Sequence, residues 1–200
     1  MRLEASGLAC VRGGRAVFTG LGFSVDAGEA LLVTGRNGSG KSSLLRMVAG
    51  LVRVAGGRLA LVDADPDQTI PEQAHYLGHQ DALKPSLTVV ENLTFWARYL
   101  DGAEPIQGAL AAVGLAALTD LPAAYLSAGQ RRRLSIARLL TAKRPLWLLD
   151  EPTSALDREA QNTLSGLMRQ HLSGGGIILA AAHGPIGLDH AKELRLGDFG

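Results

Sequence analysis

The segment GRNGSGKS, Gly35–Ser42, has the residue types and spacing of a phosphate-binding loop. It fits the pattern G-x-x-x-x-G-K-[ST] and lies between the apolar stretch EALLVTG and a stretch with helical spacing, KSSLLRMVAGLV. Glycines let successive backbone N–H groups point inward at phosphate oxygens, and the N-terminus of the helix adds partial positive charge. We expect Lys41 to reach the β- and γ-phosphates of a nucleotide and the Ser42 hydroxyl to bind Mg²⁺. The nucleotide-binding residues predicted here are Gly35, Arg36, Asn37, Gly38, Ser39, Gly40, Lys41, Ser42 and Ser43.

Two carboxylates follow a second apolar stretch, LWLLDE, at Asp150 and Glu151. Ligands of open α/β sheets bind outside the carboxyl ends of the strands. Because neighbouring side chains on a strand point to opposite faces, the two acids are expected to serve different tasks. Asp150 is the expected outer-shell holder of Mg²⁺, and Glu151 the expected general base for an attacking water, or the residue that orients it.

The stretch LSAGQRRR, Leu126–Arg133, is open to two interpretations. Its three arginines could grip nucleic acid, or they could lie in the first turn of a helix whose opening residues hold another ligand. The whole chain of 200 residues has a net charge of only +1, whereas nucleic-acid modules of this size carry a larger basic excess. The charge therefore favours the second interpretation, in which no direct nucleic-acid contact is expected.

The elements that must position these residues alternate between strand and helix. Uniformly apolar strands separated by helices predict an α/β fold with a mainly parallel sheet. Residues 2–25 read instead as short strands separated by glycine-rich turns, RLEASGLACV, AVF and GFSV. A helical stretch at about residues 85–145 would be inserted into the sheet. We expect a single domain, residues 1–200, with two lobes.

Composition excludes several classes of protein. The hydrophobic content of 46% predicts a folded globular chain, and the single cysteine excludes an intrachain disulfide. No apolar run approaches the roughly 20 residues that span a bilayer, and the N-terminus does not resemble a secretory signal. Any role at a membrane is therefore expected to come through a partner.

Taken together, GRNGSGKS, Gln80, LSAGQ, LLDEP, SALD and His183 resemble, in type and order, the nucleotide-binding domains of ABC transporters. The resemblance covers about residues 30–183. It implies a phosphate-loop NTPase core with an N-terminal antiparallel portion and an inserted helical lobe. It also implies a homodimer that encloses two ATP molecules, each between the phosphate loop of one subunit and LSAGQ of the other.

The same resemblance assigns roles to single residues. Ser127 and the backbone at Gly129 would contact the γ-phosphate from across the dimer, with Gln130 beside them. Gln80 would reach Mg²⁺ and water, and its loop would sense the membrane partner. His183 would contact the γ-phosphate, and Asp157 would communicate between the two sites. Read alone, Asp157 could simply cap the helix that follows it.

Two positions depart from the family pattern. Many members carry an aromatic residue that stacks on adenine about 29 positions before the loop lysine, where this chain has Arg12 without an aromatic neighbour. Arg12 could stack its guanidinium on the base, or the base could be held loosely. Ala128 stands where the family usually has a glycine in its signature, the segment LSAGQ of this chain. Since Ser127 and Gly129 are retained, we expect ATP binding by this segment to survive.

The phrases GHQDALKPSLTVVENLTFW, LSAGQRRR and PLWLLDEP are also similar to the ATP-binding subunits of haem exporters in bacterial cytochrome c biogenesis. This similarity implies an ATPase on the cytoplasmic face of the inner membrane, paired with membrane-embedded subunits. His75 and His79 lie in a strand-loop and there is no C-x-x-C-H motif, so no direct haem binding is expected. The alternatives are a soluble ATPase acting on nucleic acid or ribosomes, and a subunit of another short exporter.

The stretch ENLTFWARYL predicts an amphipathic helix with three aromatic residues, Phe95, Trp96 and Tyr99. They could fill the core of the helical lobe, or they could form part of a groove that receives a helix of a membrane subunit. The sequence leaves both interpretations open.

Overall fold

The computed structural model describes residues 1–197, so residues 198–200 of the expected domain lie outside it. The chain forms two compact units. Among the described residues, the first comprises 1–76, 144–152 and 168–197, and the second comprises 77–143 and 153–167. The second unit contains the expected helical lobe, and it also takes in a segment after Asp150 that the sequence did not assign to it. The expectation of a single domain stays a prediction.

The first unit contains an antiparallel sheet in the order β2-β1-β4. Its strands are β1 (Arg2–Arg12), β2 (Arg15–Asp26) and β4 (Gly56–Val62). The antiparallel N-terminal portion is therefore confirmed, but the stretches AVF and GFSV form one strand and not two. The β1–β2 register shifts at three places, and such bulges accommodate the glycines that the sequence suggested as turns.

A five-stranded sheet in the order β5-β6-β7-β3-β8 holds the candidate site of the first unit. Its members are β3 (Ala30–Thr34), β5 (Ala74–Leu77), β6 (Leu146–Asp150), β7 (Ile177–Ala181) and β8 (Lys192–Arg195). The pairs β3–β7, β3–β8 and β6–β7 are parallel, as predicted. Every residue of β6 and β7 is buried, which explains why both sequences are almost continuously apolar.

Helix α1 (Lys41–Val48) begins directly after the glycine-rich loop and packs its apolar face into the core of the first unit. Leu44, Leu45 and Val48 are at most 1% exposed. Burying these side chains stabilises the helix at the position where its first turn carries Lys41 and Ser42.

The second unit contains α2 (Val89–Tyr99), α3 (Ile106–Ala112) and α4 (Ala128–Ala137). Helix α5 (Arg158–Ser173) begins in the second unit and ends in the first. Helix α2 opens with a capping box between Thr88 and Glu91. Helices α3 and α4 end at Ala112 and Ala137, and short 3₁₀ turns follow at residues 116–118 and 138–140. No helix within residues 1–197 combines the length and the apolar character needed to cross a bilayer.

Candidate nucleotide-binding site

The phosphate loop joins β3 to α1, as the sequence predicted. Lys41 is 8% exposed, and its Nζ donates hydrogen bonds to the carbonyl oxygens of Gly35 at 2.8 Å and Arg36 at 3.3 Å. The lysine therefore curls back over its own loop. A buried ammonium held over a loop of backbone N–H groups is an arrangement suited to a polyphosphate.

Two glycines of the loop could not be replaced without strain. Gly40 caps α1 at φ 103°, and a Cβ there would lie 2.6 Å from Val17 Cγ1. Gly35 has φ 138°, and a Cβ there would lie 2.4 Å from the Leu196 carbonyl oxygen. Both positions need the left-handed region and close approach of the backbone, which glycine alone provides.

The Ser39 side chain supplies a test of whether the loop fits a phosphate. Its Oγ is buried and has no hydrogen-bond partner among residues 1–197. A buried hydroxyl normally finds a partner, because leaving it unpaired costs about 1–3 kcal/mol. A phosphate oxygen in the loop would satisfy it, so the loop fits the ligand that its sequence predicts.

Ser42 and Asp150 meet at the carboxyl end of β6. The Ser42 hydroxyl donates a hydrogen bond of 2.9 Å to Asp150 Oδ1, and Asp150 is 2% exposed. A hydroxyl and a carboxylate are oxygen donors of the kind that Mg²⁺ takes beside nucleotide phosphates. Within residues 1–197, no group of three or more His, Cys, Asp or Glu residues could hold a metal ion by itself.

Two residues beside Asp150 escaped the sequence analysis. The Tyr76 hydroxyl, on β5, donates to Asp150 Oδ2 at 3.4 Å, and Arg46 Nε, on α1, donates to the Tyr76 oxygen at 3.2 Å. The sequence shows a tyrosine in the strand before Gln80, but that residue alone does not indicate a contact with Asp150. The contact follows from the strand order, in which β5 is the neighbour of β6.

Glu151 and Asp150 do serve separate contacts, although the expected reason was wrong. Glu151 no longer belongs to the strand, since its φ is 48° and it follows the last residue of β6. Its backbone N–H donates to the Ala181 carbonyl at 2.8 Å, and its Oε1 lies 3.5 Å from His183 Nε2. The left-handed backbone at Glu151 directs the two carboxylates to different contacts. The alternation of side chains along a strand is not the cause.

The signature residues open helix α4 in the second unit. Ser127 is its N-cap and forms a capping box with Gln130, whose backbone N–H donates to Ser127 Oγ at 3.2 Å. The Gln130 side chain in turn accepts from the Ser127 backbone N–H at 2.8 Å. A Cβ at Gly129 would lie 3.0 Å from the Ala155 carbonyl oxygen, whereas Ala128 is exposed. The structure therefore accommodates the methyl of Ala128 and leaves little room for one at Gly129.

The three arginines after LSAGQ donate hydrogen bonds to backbone carbonyl oxygens within the second unit. Arg131 donates to the Leu126 carbonyl oxygen, and Arg133 donates to that of Val113 at 3.2 Å. Arg132 is 3% exposed and donates to the Gly78 carbonyl oxygen at 2.8 Å. The three arginines do lie near the start of a helix, as the second interpretation held, but the expected solvation of this turn is wrong for Arg132, and the contacts are internal to the lobe.

Gln80 and Asp157 also lie in the second unit. Gln80 is exposed in the segment after β5, and flanking residues of that segment are held by α4, because Ser135 Oγ donates to the Asp81 carbonyl oxygen at 2.7 Å. Asp157 Oδ1 accepts from the Ala160 backbone N–H at 2.8 Å. Asp157 therefore does cap α5, and its expected role between two sites stays a prediction.

Arg12 lies exposed at the end of β1, where it pairs across the β1–β2 hairpin with Arg15. The nearby aromatic, Phe18, is 5% exposed and packs in the core of the first unit. The structure thus confirms that no exposed aromatic stands at this hairpin, and the stacking role of Arg12 stays a prediction.

The aromatic residues of α2 divide between the two interpretations. Trp96 is half-buried, donates from Nε1 to the Ala82 carbonyl oxygen at 3.2 Å, and carries the Arg138 guanidinium 4.3 Å from its ring centre. Burial and the charge of Arg132 lower the pKa of Arg138 to about 10. Phe95 and Tyr99 are instead 55% and 71% exposed and stack on each other. Of the two interpretations left open, filling the core of the lobe does not hold for Phe95 and Tyr99.

The parallel sheet, the phosphate loop on α1 and the Ser42–Asp150 pair define a phosphate-loop NTPase. Residues 18–154 match the family model described as "ABC transporter", and the chain belongs to that family. The predicted resemblance to its nucleotide-binding domains is therefore confirmed, together with ATP binding as a family property.

The chain is also similar, over almost its whole length, to relatives that share one name. It is 61% identical to "Cytochrome c biogenesis ATP-binding export protein CcmA" of Nitrobacter winogradskyi, over 98% of each chain. It is 53% identical to the protein of the same name from Mesorhizobium japonicum, over 100% of each. The predicted similarity to the ATP-binding subunits of cytochrome c biogenesis exporters is confirmed.

Solved structures agree on the fold. "Structure of ATP binding subunit of ABC transporter" is 24% identical with a TM-score of 0.87, over 98% of this chain and 86% of that one. A "Putative ABC transporter (ATP-binding protein)" from Pyrococcus furiosus is 19% identical with a TM-score of 0.85, over 100% and 99%. The predicted ABC ATPase fold is thus confirmed.

Proposed function

We propose that this chain is the ATP-hydrolysing subunit of a membrane transporter that serves c-type cytochrome assembly, where it supports haem export. The observation that carries the ATPase assignment is the contact of Ser42 with the buried Asp150, next to the loop closed by Lys41. The export system is supported by relatives that are named cytochrome c biogenesis export proteins and are about 60% identical. Haem as the cargo rests on the resemblance in sequence.

Within one subunit, Lys41 and the loop N–H groups bind the β- and γ-phosphates. Ser39 Oγ donates to a phosphate oxygen and so gains the partner that its buried position requires. Ser42 Oγ and Asp150 would hold Mg²⁺, Asp150 through the outer shell, and Gln80 is proposed as a further ligand. The metal would neutralise the charge that develops on the phosphates during transfer. The Ser42 hydroxyl donates its proton to Asp150, so its oxygen lone pairs would remain available for a metal.

Glu151 acts as the general base, or as the residue that orients the attacking water. It is partly exposed, so water reaches it, and its carboxylate is within 3.5 Å of His183. His183 orients Glu151 and contacts the γ-phosphate. Positioning water and charge in this way is the main contribution that a protein makes to phosphoryl transfer.

ATP binding closes a homodimer in which Ser127, Gly129 and Gln130 of the second copy contact the γ-phosphate. The capping box uses the Ser127 oxygen as an acceptor, so its O–H proton remains available to a phosphate. The N-terminus of α4, a helix of ten residues, adds partial positive charge there. Arg12 is proposed to contact the base.

Membrane-embedded subunits contact the exposed side of α2. That side is lined by Val90, Glu91, Thr94, Phe95, Arg98 and Tyr99. Exposed aromatic pairs of this type are common anchors at protein interfaces. Such partners place the chain peripherally at the cytoplasmic face of the bacterial inner membrane, with no haem ligand of its own.

A soluble ATPase acting on nucleic acid or ribosomes is the second candidate, and the internal bonding of Arg131–Arg133 weighs against it. Affinity purification of the tagged chain from detergent-solubilised membranes separates the two. We expect an integral membrane protein to be recovered with it. Recovery of ribosomes or DNA without a membrane protein would reject the transporter assignment.

A further inference from the structure

We propose that Tyr76 is a positioning residue for the metal site, which fixes the orientation of the Asp150 carboxylate while Arg46 holds the tyrosine hydroxyl in place. This inference rests on the proposed function, because it concerns the residue assigned to hold Mg²⁺. It adds two residues that neither the phosphate loop nor the acidic strand end contains.

The four side chains form one continuous chain of hydrogen bonds. Arg46 Nε lies 3.2 Å from the Tyr76 oxygen, which lies 3.4 Å from Asp150 Oδ2, and Ser42 Oγ lies 2.9 Å from Asp150 Oδ1. Three elements supply them: α1 carries Ser42 and Arg46 one turn apart, β5 carries Tyr76, and β6 carries Asp150. The series of hydrogen bonds therefore starts and ends on helix α1.

The chemistry of the donors gives this series of hydrogen bonds a direction. A guanidinium only donates, so the Tyr76 oxygen accepts from Arg46 and its own proton points at Asp150. Each carboxylate oxygen of Asp150 consequently receives an O–H donor. Two donors on opposite oxygens help to hold the plane of the carboxylate.

Burial makes the donor from Tyr76 hard to replace. Asp150 is 2% exposed, and water is therefore a poor substitute for the tyrosine donor.

The test measures metal binding without turnover. The full chain is saturated with a non-hydrolysable ATP analogue carrying a β,γ-methylene group, and Mn²⁺ binding is followed by electron paramagnetic resonance. Tyr76→Phe removes the hydroxyl and keeps the ring, and we expect it to weaken Mn²⁺ binding about 10-fold. The affinity for the analogue in the presence of EDTA, measured by calorimetry, is expected to remain that of the wild type.

Arg46→Met provides a second variant, which removes the guanidinium and keeps the apolar stem. We expect it to weaken Mn²⁺ binding in the same direction, and the double variant to bind Mn²⁺ no worse than Tyr76→Phe alone, because both act through one hydrogen bond. Tyr125→Phe, at a tyrosine that is 75% exposed, is the matched control and is expected to bind Mn²⁺ as the wild type does.

The outcomes separate this inference from the function on which it rests. If Ser42→Ala loses Mn²⁺ affinity and Tyr76→Phe does not, the metal site stands and the positioning role is rejected. If Tyr76→Phe weakens metal-free analogue binding as much as Mn²⁺ binding, the tyrosine supports the nucleotide pocket in general and the positioning role is again rejected. If the wild-type chain binds neither the analogue nor Mn²⁺, the proposed function itself fails.

Discussion

Glu151 Oε1 lies 3.5 Å from His183 Nε2, and this contact joins a residue just after β6 to one just after β7. The two strands are parallel neighbours in the sheet, so their carboxyl ends bring the two side chains to one edge. Asp150 lies at the same edge but turns to Ser42. The carboxyl ends of two neighbouring strands thus direct two adjacent carboxylates to separate contacts.

Replacing Glu151 by glutamine should stop hydrolysis while ATP binding persists. The amide retains the shape and cannot take up a proton, so we expect the steady-state ATPase rate to fall by at least about 100-fold. ATP affinity and an ATP-dependent dimer, measured by calorimetry and light scattering, should both be retained. Hydrolysis at the wild-type rate would show that another group activates the water.

Replacing Lys41 by methionine should weaken ATP binding itself. The variant removes a buried ammonium that closes the loop onto Gly35 and Arg36. A hydrogen bond to a charged group contributes about 1.5–3 kcal/mol, which corresponds to a Kd increased about 10- to 100-fold. Lys143→Met is the control, because Lys143 is 91% exposed and should leave the Kd for ATP unchanged. Equal ATP affinity in both variants would count against the phosphate loop as the binding site.

Replacing Gly40 by alanine should destabilise the fold more than the same change at Gly38. Both glycines have positive φ, 103° and 82°, but only at Gly40 would the new Cβ meet other atoms, with Val17 Cγ1 at 2.6 Å. We expect Gly38→Ala to cost about 1 kcal/mol in free energy of unfolding and Gly40→Ala about 2 kcal/mol more. Urea unfolding of the two variants measures the difference. Equal losses would mean that the packing of the loop against β2 contributes nothing to the free energy of unfolding.

His171 should make stability depend on pH. Its ring stacks on Trp147 with centroids 4.1 Å apart, and burial lowers its pKa. The unfolded chain therefore binds a proton at a higher pH than the folded chain. This contribution to stability is complete above about pH 6.5 and is lost as the pH falls through that value towards the folded pKa.

Urea midpoints measured between pH 5 and pH 8 test this assignment. We expect His171→Gln to flatten the fall in stability below about pH 6.5, since glutamine does not titrate. His190→Gln replaces an exposed histidine and should leave the fall as it is in the wild type. An unchanged profile in His171→Gln would assign the acid sensitivity to other groups.

Replacing Phe95 or Tyr99 by serine should release the membrane partner without affecting ATP binding. If these exposed rings anchor the interface, removal of either should reduce co-purification of the membrane subunit by about 10-fold or more. Tyr125→Ser is the control, since Tyr125 is exposed in the same unit and is not on α2. Full recovery with both α2 variants would move the contact to another surface.

The sequence predicted those parts of the site that depend on local patterns. The phosphate loop and the acid pair each come from a few adjacent residues whose flanks identify a strand end or a helix start. The Tyr76–Asp150 contact was not predictable, because it depends on β5 lying beside β6 in the sheet, and no local pattern encodes strand order.

The aromatic residues of α2 show a second limit. A spacing of four places Phe95 and Tyr99 on one side of a helix, but spacing does not tell which side faces the core. Leu93 and Ala97 occupy the buried side, so the two rings face outward.

Similarly, glycines in β2 suggested turns because sequence patterns do not distinguish a bulge within a strand from a break between strands.

The left-handed backbone at Glu151 has a consequence for evolution of the chain. A φ of 48° is easily adopted by glycine or asparagine and costs other residues about 1 kcal/mol or more. Substitution by either would relieve that strain and would also remove the carboxylate. If Glu151 is the general base, as proposed, selection for turnover opposes the gain in stability that such a substitution would bring.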